Sequence, residues 1–420
     1  MTLARYLILC LISLCAMPQG AQAQILHTLD SIARPARLVA LTAADQWTLA
    51  VNNQERTVAS SALVRWGSWP GVLSEQAVWL SDGSLLCGAV GISDSHVTVT
   101  NDWLDAPQLV WEAIRGLVLA PPTTLANWLA LQTQMEAVRG DQDVVWLAGG
   151  RKLSGILRIS ANPNSDQPTI DIDTAGQSVT LALDEIEAIV FSPTLLGPLP
   201  THNDTSAVCL IDGSRLWVSH IAPSPSSVEL TLENALRLKS FDAAPQFIPA
   251  IVSLARPTAR TQFLSDLTPA SYRHLSDSTL TWELGFDRDV FSQPLHSEKG
   301  IFQKGMATHS SSQVAFRWDG SAAQFLAEAR MAAPAPQAAP RLGSVRCQVL
   351  LARAGKLQTV HDFSLGRIAP GAHSEPDRKA IELITVDLLG AELVVLVTDK
   401  ADFAQYGDHL LWLDARITRR

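Results

Sequence analysis

A nine-residue phrase occurs three times in this sequence, and it constrains the fold more than any other feature. The copies are Leu80–Gly88, Leu147–Gly155 and Leu210–Val218, and their first residues are 67 and 63 positions apart. Each copy follows a short apolar run and carries an Asp-Gly or Gly-Gly pair near its centre. Because glycine accepts the positive φ of a tight turn, the phrase predicts a β-hairpin that is repeated along the chain.

The three hairpins belong to longer repeats, which also end alike. Their apolar closing segments are Val110–Val118, Leu183–Val190 and Phe247–Val252. The segment Leu38–Trp66 has the pattern of a degenerate earlier copy. Short strands with frequent turns are typical of small barrels or sandwiches, so we expect three such β units, or four with the degenerate copy. Their spacing is longer than the common solenoid periods, so a superhelix is not required.

One helix interrupts the predicted strands. Thr124 is suited to the N-cap position, Leu125 to Arg139 has helical character, and Gly140 follows as a terminator. Leu125, Trp128, Leu129 and Met135 fall roughly on one face of this helix. The apolar face predicts packing on a β unit, and docking of a partner protein is the alternative.

The C-terminal part of the chain carries a different set of motifs. These are Phe263–Pro269, Trp282, Gly300–His309 with its Lys-Gly-x-x-x-His core, and Leu411–Ile417 with its Trp-x-Asp-Ala sequence. Together they resemble the NPCBM ("novel putative carbohydrate-binding module") family over about the last 160 residues. The resemblance implies a galactose-binding-like β-sandwich that binds a ligand and is not a catalyst. The repeated phrase more weakly resembles the SH3-like or Sm-like β units that precede such modules in exported bacterial proteins.

The predicted fold class is therefore all-β. An N-terminal array of small β-barrel or sandwich units with one inserted helix leads into a C-terminal jelly-roll β-sandwich. The predicted segments are a signal peptide at 1–23, β units at 24–120, the helix at 121–141, two further β units at 142–257, and the NPCBM-like domain at 258–420.

The first 23 residues have the pattern of a cleaved secretory signal. Arg5 precedes a short apolar run, and Ala21-Gln22-Ala23 is a suitable cleavage site, so we expect a secreted, periplasmic or cell-envelope protein. No later stretch is long and apolar enough to predict a membrane span. Without Arg5 the chain has 31 Lys and Arg against 41 Asp and Glu. This acidic balance, with no basic run, argues against nucleic acid as a partner.

Three cysteines, Cys87, Cys209 and Cys347, remain after the signal. Their wide spacing matches neither a zinc motif nor a disulfide framework. Each lies among strand-forming residues, so we expect buried free thiols; one disulfide with one thiol left over is the alternative.

The sequence contains no recognisable catalytic motif, and we expect no enzyme activity. His309 precedes three serines, but adjacent strand residues point to opposite faces, which argues against a His-Ser pair there. Glu283, Asp287 and Asp289 lie close to Trp282, as glycosidase carboxylates could, but a solvated loop is the simpler interpretation.

Sugar binding needs aromatic faces and planar polar groups. The candidate carbohydrate-binding residues are Trp282, Arg288, Lys304, His309, Tyr406 and Asp408. Lys304 and His309 belong to the family phrase, which also fits a purely structural role. Trp318 and Trp412 lie in alternating strands, which predicts core positions.

No cofactor is expected, although a structural calcium ion is left open. The acidic loop Thr398–Asp408 offers carboxylates of the kind that calcium prefers. Family members often continue with Gly and Asp after the strand Phe325–Arg330, whereas this chain has Met331-Ala332-Ala333 and a Pro/Ala stretch. That departure argues against a calcium site.

The resemblance implies that the protein binds a glycan or glycoconjugate without catalysis. Two alternatives remain. The chain could be a scaffold that binds envelope proteins, or an accessory part of a glycoside-degrading system. An exposed aromatic side chain on one rim of the sandwich would favour glycan binding, and a large apolar patch on the β units would favour the scaffold.

Overall fold

The computed structural model describes residues 24–419, except 44, 72, 74, 106–107, 161–168, 175, 203–204, 257–260, 276–280, 334–342, 367–378 and 402–406. The described chain is built almost entirely from β-strands. Its first 22 strands form the N-terminal region, and the remaining strands form a C-terminal sandwich.

The N-terminal region consists of four units with one plan: a hairpin, further antiparallel strands, a 3-10 turn, and a closing strand that pairs with the first strand. The first unit comprises β1 (Gln24–Thr28), β2 (Ile32–Ala43), β3 (Gln46–Val51), β4 (Gln54–Ala59), the turn Ser60–Ala62 and β5 (Leu63–Gly67). The second comprises β6 (Ala77–Leu80), β7 (Leu85–Cys87), β8 (Ala89–Ile92), β9 (His96–Thr100), β10 (Leu104–Asp105), β11 (Leu109–Val110), the turn Trp111–Ala113 and β12 (Ile114–Val118).

The third and fourth units follow the helix. The third comprises β13 (Asp143–Leu147), β14 (Lys152–Ser160), β15 (Thr169–Thr174), β16 (Gln177–Leu181), the turn Leu183–Glu185, β17 (Ile186–Val190), and then a short helix at Pro193–Leu196. The fourth comprises β18 (Ser206–Leu210), β19 (Arg215–Pro223), β20 (Val228–Leu232), β21 (Arg237–Ser240), a short helix at Ala244–Phe247, the turn Ile248–Ala250 and β22 (Ile251–Ala255).

The three repeated phrases form equivalent hairpins, as predicted. The amides of Leu80, Leu147 and Leu210 donate to the carbonyls of Ser84, Arg151 and Ser214 at 2.8, 2.8 and 2.9 Å. The turn glycines Gly83, Gly150 and Gly213 have φ values of 85°, 85° and 99°. The turns therefore use the conformation for which a glycine is needed.

The degenerate copy is a true fourth unit, but it begins earlier than Leu38. Its first strand is β1, and Thr28 of β1 pairs with Leu63 of β5. The Leu29 amide donates to the Ala62 carbonyl at 3.0 Å, which matches the bond from Ser81 to Ala113 in the second unit. This strand was not predicted from the sequence, because the turn that follows it, closed by the hydrogen bond from the Thr28 amide to the Ser31 carbonyl, contains no glycine.

The units are joined edge to edge through their closing strands. Trp66 of β5 pairs with Leu254 of β22, and Leu117 of β12 pairs with Ile189 of β17. These pairings join the first unit to the fourth and the second to the third, and the pairs β10–β21 and β7–β19 join the second unit to the fourth. The four units therefore form one continuous antiparallel network of strands instead of separate closed barrels. Sharing closing strands removes exposed sheet edges, which would otherwise invite aggregation.

The inserted helix, α1, spans Leu125–Glu136 and is shorter than the predicted Leu125–Arg139. The Thr124 side chain accepts from the Asn127 amide at 3.3 Å, as the predicted N-cap should. Trp128, Leu129 and Met135 are buried against apolar residues of the β units, including Trp79 and Trp146. The helix therefore packs on the units, which was the first of the two interpretations.

The C-terminal domain is a sandwich of two antiparallel sheets. The first sheet has β23 (Thr261–Phe263), β25 (Gly285–Phe286), β28 (Gly305–His309), β30 (Ala323–Met331), β33 (Ile381–Asp387) and β35 (His409–Arg419). The second sheet has β24 (Ser271–His274), β29 (Ser312–Arg317), β31 (Ser344–Arg353), β32 (Lys356–Gly366) and β34 (Leu393–Lys400). A separate hairpin has β26 (Leu295–Ser297) and β27 (Gly300–Phe302), and a 3-10 turn lies at Leu264–Asp266.

The core lies between these two sheets. Trp412 is buried there as predicted, and the alternating strand residues Phe316, Phe325 and Val395 are buried with it. Trp318 is instead half-buried: its indole N–H donates to the Ser321 carbonyl at 3.0 Å, and the Arg419 guanidinium lies 5.5 Å from its ring centroid. The prediction for Trp318 was wrong because it is the first residue after β29, where the sheet no longer covers it.

A buried ionic cluster joins the first unit to the outer face of the first sheet. Glu328 accepts from Arg65 at 2.5 Å and lies 2.9 Å from His27 Nε2, and it also contacts Arg330. Arg65 also donates to Asp414 at 2.5 Å. Since Glu328 and His27 are fully buried, these contacts fix the sandwich against the N-terminal region.

Candidate functional site

Five aromatic rings gather on the outer face of the first sheet, at one end of β28 and β35. The Trp282 ring stacks on His309, with centroids 4.8 Å apart and an interplanar angle of 7°. His409 meets Trp282 and His309 edge-on at 5.2 and 4.9 Å. Phe291 meets Trp282 at 5.4 Å, and His274 meets His309 at 5.6 Å. We call these five residues the aromatic face.

The strands place the two histidines side by side. His309 ends β28 and pairs directly with His409, which begins β35. Neighbouring Met306 and Thr308 point into the sandwich, where Thr308 Oγ1 accepts from the Trp412 indole at 3.2 Å. Because side chains alternate along a strand, His309 points to the outer face.

Phe291 is held in a tight turn and is 49% exposed. The buried Asp289 carboxylate accepts from the amides of Phe291 and Gln293, each at 2.8 Å. Arg288 and Pro294 close the base of the turn as an isolated β-bridge. Burial raises the pKa of Asp289, although these amide bonds oppose the rise. The turn therefore presents the phenyl ring on a rigid support.

Trp282 is half-buried and is anchored through its backbone. The Tyr272 hydroxyl donates to its carbonyl at 2.7 Å, and burial, with a smaller contribution from Glu283, raises the pKa of Tyr272 to about 12. The Trp282 amide lies 3.3 Å from His274 Nδ1. One face of the indole is taken by His309, and the ring is not fully covered.

Of the five predicted sugar-binding residues that the structure describes, Trp282 and His309 belong to the aromatic face and the other three do not. Lys304 lies at the other end of β28, where it pairs with Asp266 at 2.6 Å and Asp287 at 2.9 Å. Arg288 pairs with Glu136 of α1 at 2.8 Å. Both cations therefore form ion pairs within the chain, and their role in sugar binding stays a prediction.

Asp408 is fully buried, and its carboxylate accepts from the Ser344 amide at 2.9 Å. A buried carboxylate that supports a strand end is not placed to touch a surface ligand, so we leave Asp408 out of the revised site. Tyr406 lies outside the described residues.

Two expectations about loop chemistry need correction. Glu283 is exposed, as a solvated loop predicts, but Asp289 is buried, and the partly exposed Asp287 accepts from Lys304 and the Gly305 amide. The Ser310 hydroxyl lies 3.4 Å from His309 Nδ1, because the chain turns at Ser311 with φ 63°. The argument that adjacent residues must diverge was therefore wrong here. Ser310 is nevertheless fully buried, which keeps a substrate from its hydroxyl.

No group of three or more His, Cys, Asp or Glu side chains suited to a metal ion occurs in the part of the chain that the structure describes. Cys87, Cys209 and Cys347 are free and buried, as the first interpretation expected. Burial raises the pKa of all three thiols, to about 12 for Cys209. They are therefore not reactive groups. None of the described helices is both long enough and apolar enough to span a membrane.

Comparison with known families matches residues 260–418 to the NPCBM/NEW2 domain. The C-terminal domain is therefore of this carbohydrate-binding-module family, as the sequence resemblance predicted. No curated protein matches the chain.

Solved structures with weak similarity include carbohydrate-binding modules. A CBM51 module of GH95 from Clostridium perfringens, in complex with methyl-galactose, is 20% identical over 38% of this chain and 99% of the module, with a TM-score of 0.28. The CBM51-2 and INT domains of ZmpB from C. perfringens, in complex with GlcNAc, are 18% identical with a TM-score of 0.29. That match covers 51% of this chain and 38% of the other. The tandem CBM51 modules of Sp3GH98 from Streptococcus pneumoniae are 10% identical over 82% of this chain and all of theirs, with a TM-score of 0.30. At this level of similarity, the ligand sites of these modules cannot be assigned to residues of this chain.

Sequence reasoning missed three members of the aromatic face: Phe291, His274 and His409. Phe291 carried a usable signal, since it follows Asp289 by two positions, a spacing suited to a side-chain-capped turn. The histidines carried none, because their proximity depends on strand pairing between distant parts of the chain.

Proposed function

We propose that the C-terminal domain binds a glycan on the aromatic face and that it does so without catalysis. The observation that carries this proposal is the exposed Phe291 ring beside the half-buried Trp282 ring, on a domain of a carbohydrate-binding-module family. An exposed aromatic side chain on one rim of the sandwich favours glycan binding over the scaffold alternative.

The physical basis is a combination of stacking and hydrogen bonding. Aromatic rings offer flat apolar area to the C–H groups of a sugar, and their polar edges retain hydrogen-bonding capacity. Trp282 and Phe291 meet at 88°, so they form two walls of a corner and not one flat platform. A corner suits a sugar ring that stacks on one wall and touches the other with an edge.

His274 borders this face, and its ring makes contacts inside the domain: Nδ1 accepts from the Trp282 amide at 3.3 Å. It is half-buried, and burial lowers its pKa, while its bond with the Ser310 backbone opposes that shift. The bonds to the Trp282 amide and the Ser310 backbone engage the imidazole within the domain, so His274 supports Trp282, and stacking on Trp282 and Phe291 is the main contact with the sugar. Recognition through so few groups predicts a dissociation constant in the micromolar to millimolar range, or roughly −4 to −8 kcal/mol.

The test is a glycan array followed by calorimetry with the full chain. We expect wild-type protein to bind a subset of glycans, and Phe291→Ala and Trp282→Ala to lose binding while they retain the far-ultraviolet circular dichroism spectrum. Leu357→Ala is the matched control, because Leu357 is also an exposed apolar residue (54%) but lies in the distant β31–β32 hairpin. Undiminished binding by both aromatic variants would move the site elsewhere, and no binding by the wild type across the array would favour the scaffold.

We also propose that the protein is exported and that residues 1–23 are removed. This rests on the signal pattern of residues 1–23. N-terminal sequencing of protein recovered outside the cytoplasm should begin at Gln24. An intact Met1 on exported protein would contradict cleavage.

The division into domains is a further proposal. The described strands on either side of residues 257–260 belong to different sheets, which supports a boundary near residue 258. Limited proteolysis should cut there only after the ionic cluster around Glu328 is weakened, since that cluster holds the two parts together.

A further inference from the structure

A second recessed site lies in the N-terminal region, at the end of α1. It is a cavity of about 540 Å³ between the last turn of α1, strand β12, and the segment from Pro193 to Leu199. Much of its wall is apolar, with Trp79, Met135 and Val190 among the lining residues. Arg115 and Arg139 supply its positive charge.

Arg115 is a buried cation without a described counter-ion. Only 6% of the residue is exposed, and its guanidinium lies 5.6 Å from the Trp79 ring centroid. Nη2 donates to the Gly197 carbonyl at 2.7 Å, while Nε has no hydrogen-bond partner. Among the described carboxylates, none forms a salt bridge with Arg115. Burial and the nearby charge of Arg139 lower the pKa of Arg115.

Among the described lining residues, the single acid is Glu136, and it does not neutralise this charge. Both oxygens of Glu136 are engaged: Oε1 accepts from Gln132 at 2.9 Å and Oε2 from Arg288 at 2.8 Å. A buried charge with no partner destabilises the fold, because no interaction offsets the loss of its hydration. An anion bound in the cavity would offset that loss.

The internal repeats show that the fold does not need an arginine here. The closing strands can be compared through their pairing with the first strand of the same unit. By this comparison, Ile114 is equivalent to Leu63, Ile186 and Ile251 of the other units. Residue 115 therefore corresponds to Val64, Glu187 and Val252. Two of the three equivalent units have a plain β-branched apolar residue at this position. The unpaired guanidinium is a specific feature of the second unit, at the one place where α1 covers it.

We propose that this cavity binds a small carboxylate-bearing ligand, with Arg115 as its primary anchor and Arg139 as a secondary contact. The planar guanidinium offers paired N–H donors that match a carboxylate, and the Trp79 side supplies an apolar wall for the body of the ligand. Both an acidic sugar and a non-sugar organic acid present this chemistry. The site is separate from the aromatic face, so its success or failure does not depend on the glycan proposal.

The experiment is calorimetric titration of the full chain with three probes: methyl glucuronide, benzoate, and uncharged methyl glucoside. We expect at least one carboxylate to bind with a dissociation constant below about 10 mM, and methyl glucoside not to compete with it. Arg115→Val should weaken that binding at least tenfold, and Arg139→Gln should weaken it less. Arg237→Gln is the control, because Arg237 is an exposed arginine on β21 (73%) outside the cavity.

Thermal unfolding of the free protein provides an independent readout. Arg115→Val should melt at or above the wild-type temperature without ligand, because it removes an unpaired buried charge and restores the residue of the equivalent units. Preference for methyl glucuronide would identify an acidic sugar as the ligand class, and preference for benzoate a non-sugar acid. The proposal would be overturned by a lower melting temperature of free Arg115→Val, by binding that Arg115→Val leaves intact, or by failure of both carboxylates to bind.

Discussion

The Glu328 carboxylate gives a sharp test of how the N-terminal units hold the C-terminal domain. It lies on β30 and is fully buried, with Arg65 of the first unit at 2.5 Å and His27 at 2.9 Å. Burial opposes its ionisation, but the charge of Arg65, the bond from His27 and the charge of Arg330 together hold the pKa of Glu328 well below its usual range. The carboxylate is therefore charged at pH 7.

Glu328→Gln keeps the size of the side chain and removes its charge. Asp414 then remains as the one carboxylate of the cluster for Arg65, Arg330 and Arg416. Removing one partner of a buried ion pair typically costs about 3–5 kcal/mol, because the remaining charge is left uncompensated. We expect that loss in the free energy of unfolding of the full chain, measured by urea titration at pH 7 with tryptophan fluorescence.

Asp362→Asn is the matched comparison. Asp362 also accepts from an arginine, Arg346, at 2.6 Å, but it is 37% exposed. An exposed pair contributes about 0–1 kcal/mol, so this variant should lose little. The loss for Glu328→Gln should shrink in acid, because the stabilisation by a carboxylate with a lowered pKa disappears as the pH falls through the folded-state pKa. Equal, small losses for both variants at pH 7 would refute the reasoning.

Three further predictions concern single residues. Burial, followed by the charge of Arg65, lowers the pKa of His27 from 6.5 to about 4. Between these pH values the unfolded chain binds a proton that the folded chain does not, so the free energy of unfolding should rise by roughly 3 kcal/mol from pH 4 to pH 6.5. His27→Gln should flatten that slope in urea titrations. Trp412→Ala should cost about 3–5 kcal/mol, seen as a lower melting temperature of the full chain, because the indole is fully buried; an unchanged temperature would place it at the surface. Tyr406→Ala should abolish glycan binding in calorimetry without unfolding the protein, and retained affinity would remove Tyr406 from the site.

The repeat architecture could be predicted because its signal is local. An Asp-Gly or Gly-Gly pair after an apolar run fixes a hairpin within nine residues, and the hairpins at Gly83, Gly150 and Gly213 formed as expected. The first strand of the first unit was missed because its turn has no glycine. The pairing of closing strands such as β5 and β22 could not be predicted either, because no local sequence pattern specifies a partner strand nearly 190 residues away.

The candidate site was predictable only in part, for the same reason. Trp282 and His309 were identified from a family motif, and they do stack on each other. Lys304 belongs to the same motif, but strand geometry carries it to the far end of β28. Its two aspartate partners come from a 3-10 turn and from the loop after β25. Charge patterns along the chain do not reveal such pairs.

The most direct test of the glycan-binding proposal is a crystal structure of the protein with the strongest ligand from the glycan array. The proposal predicts a sugar ring packed against Trp282 and Phe291. A sugar bound at any other surface, with these two rings uncovered, would contradict it.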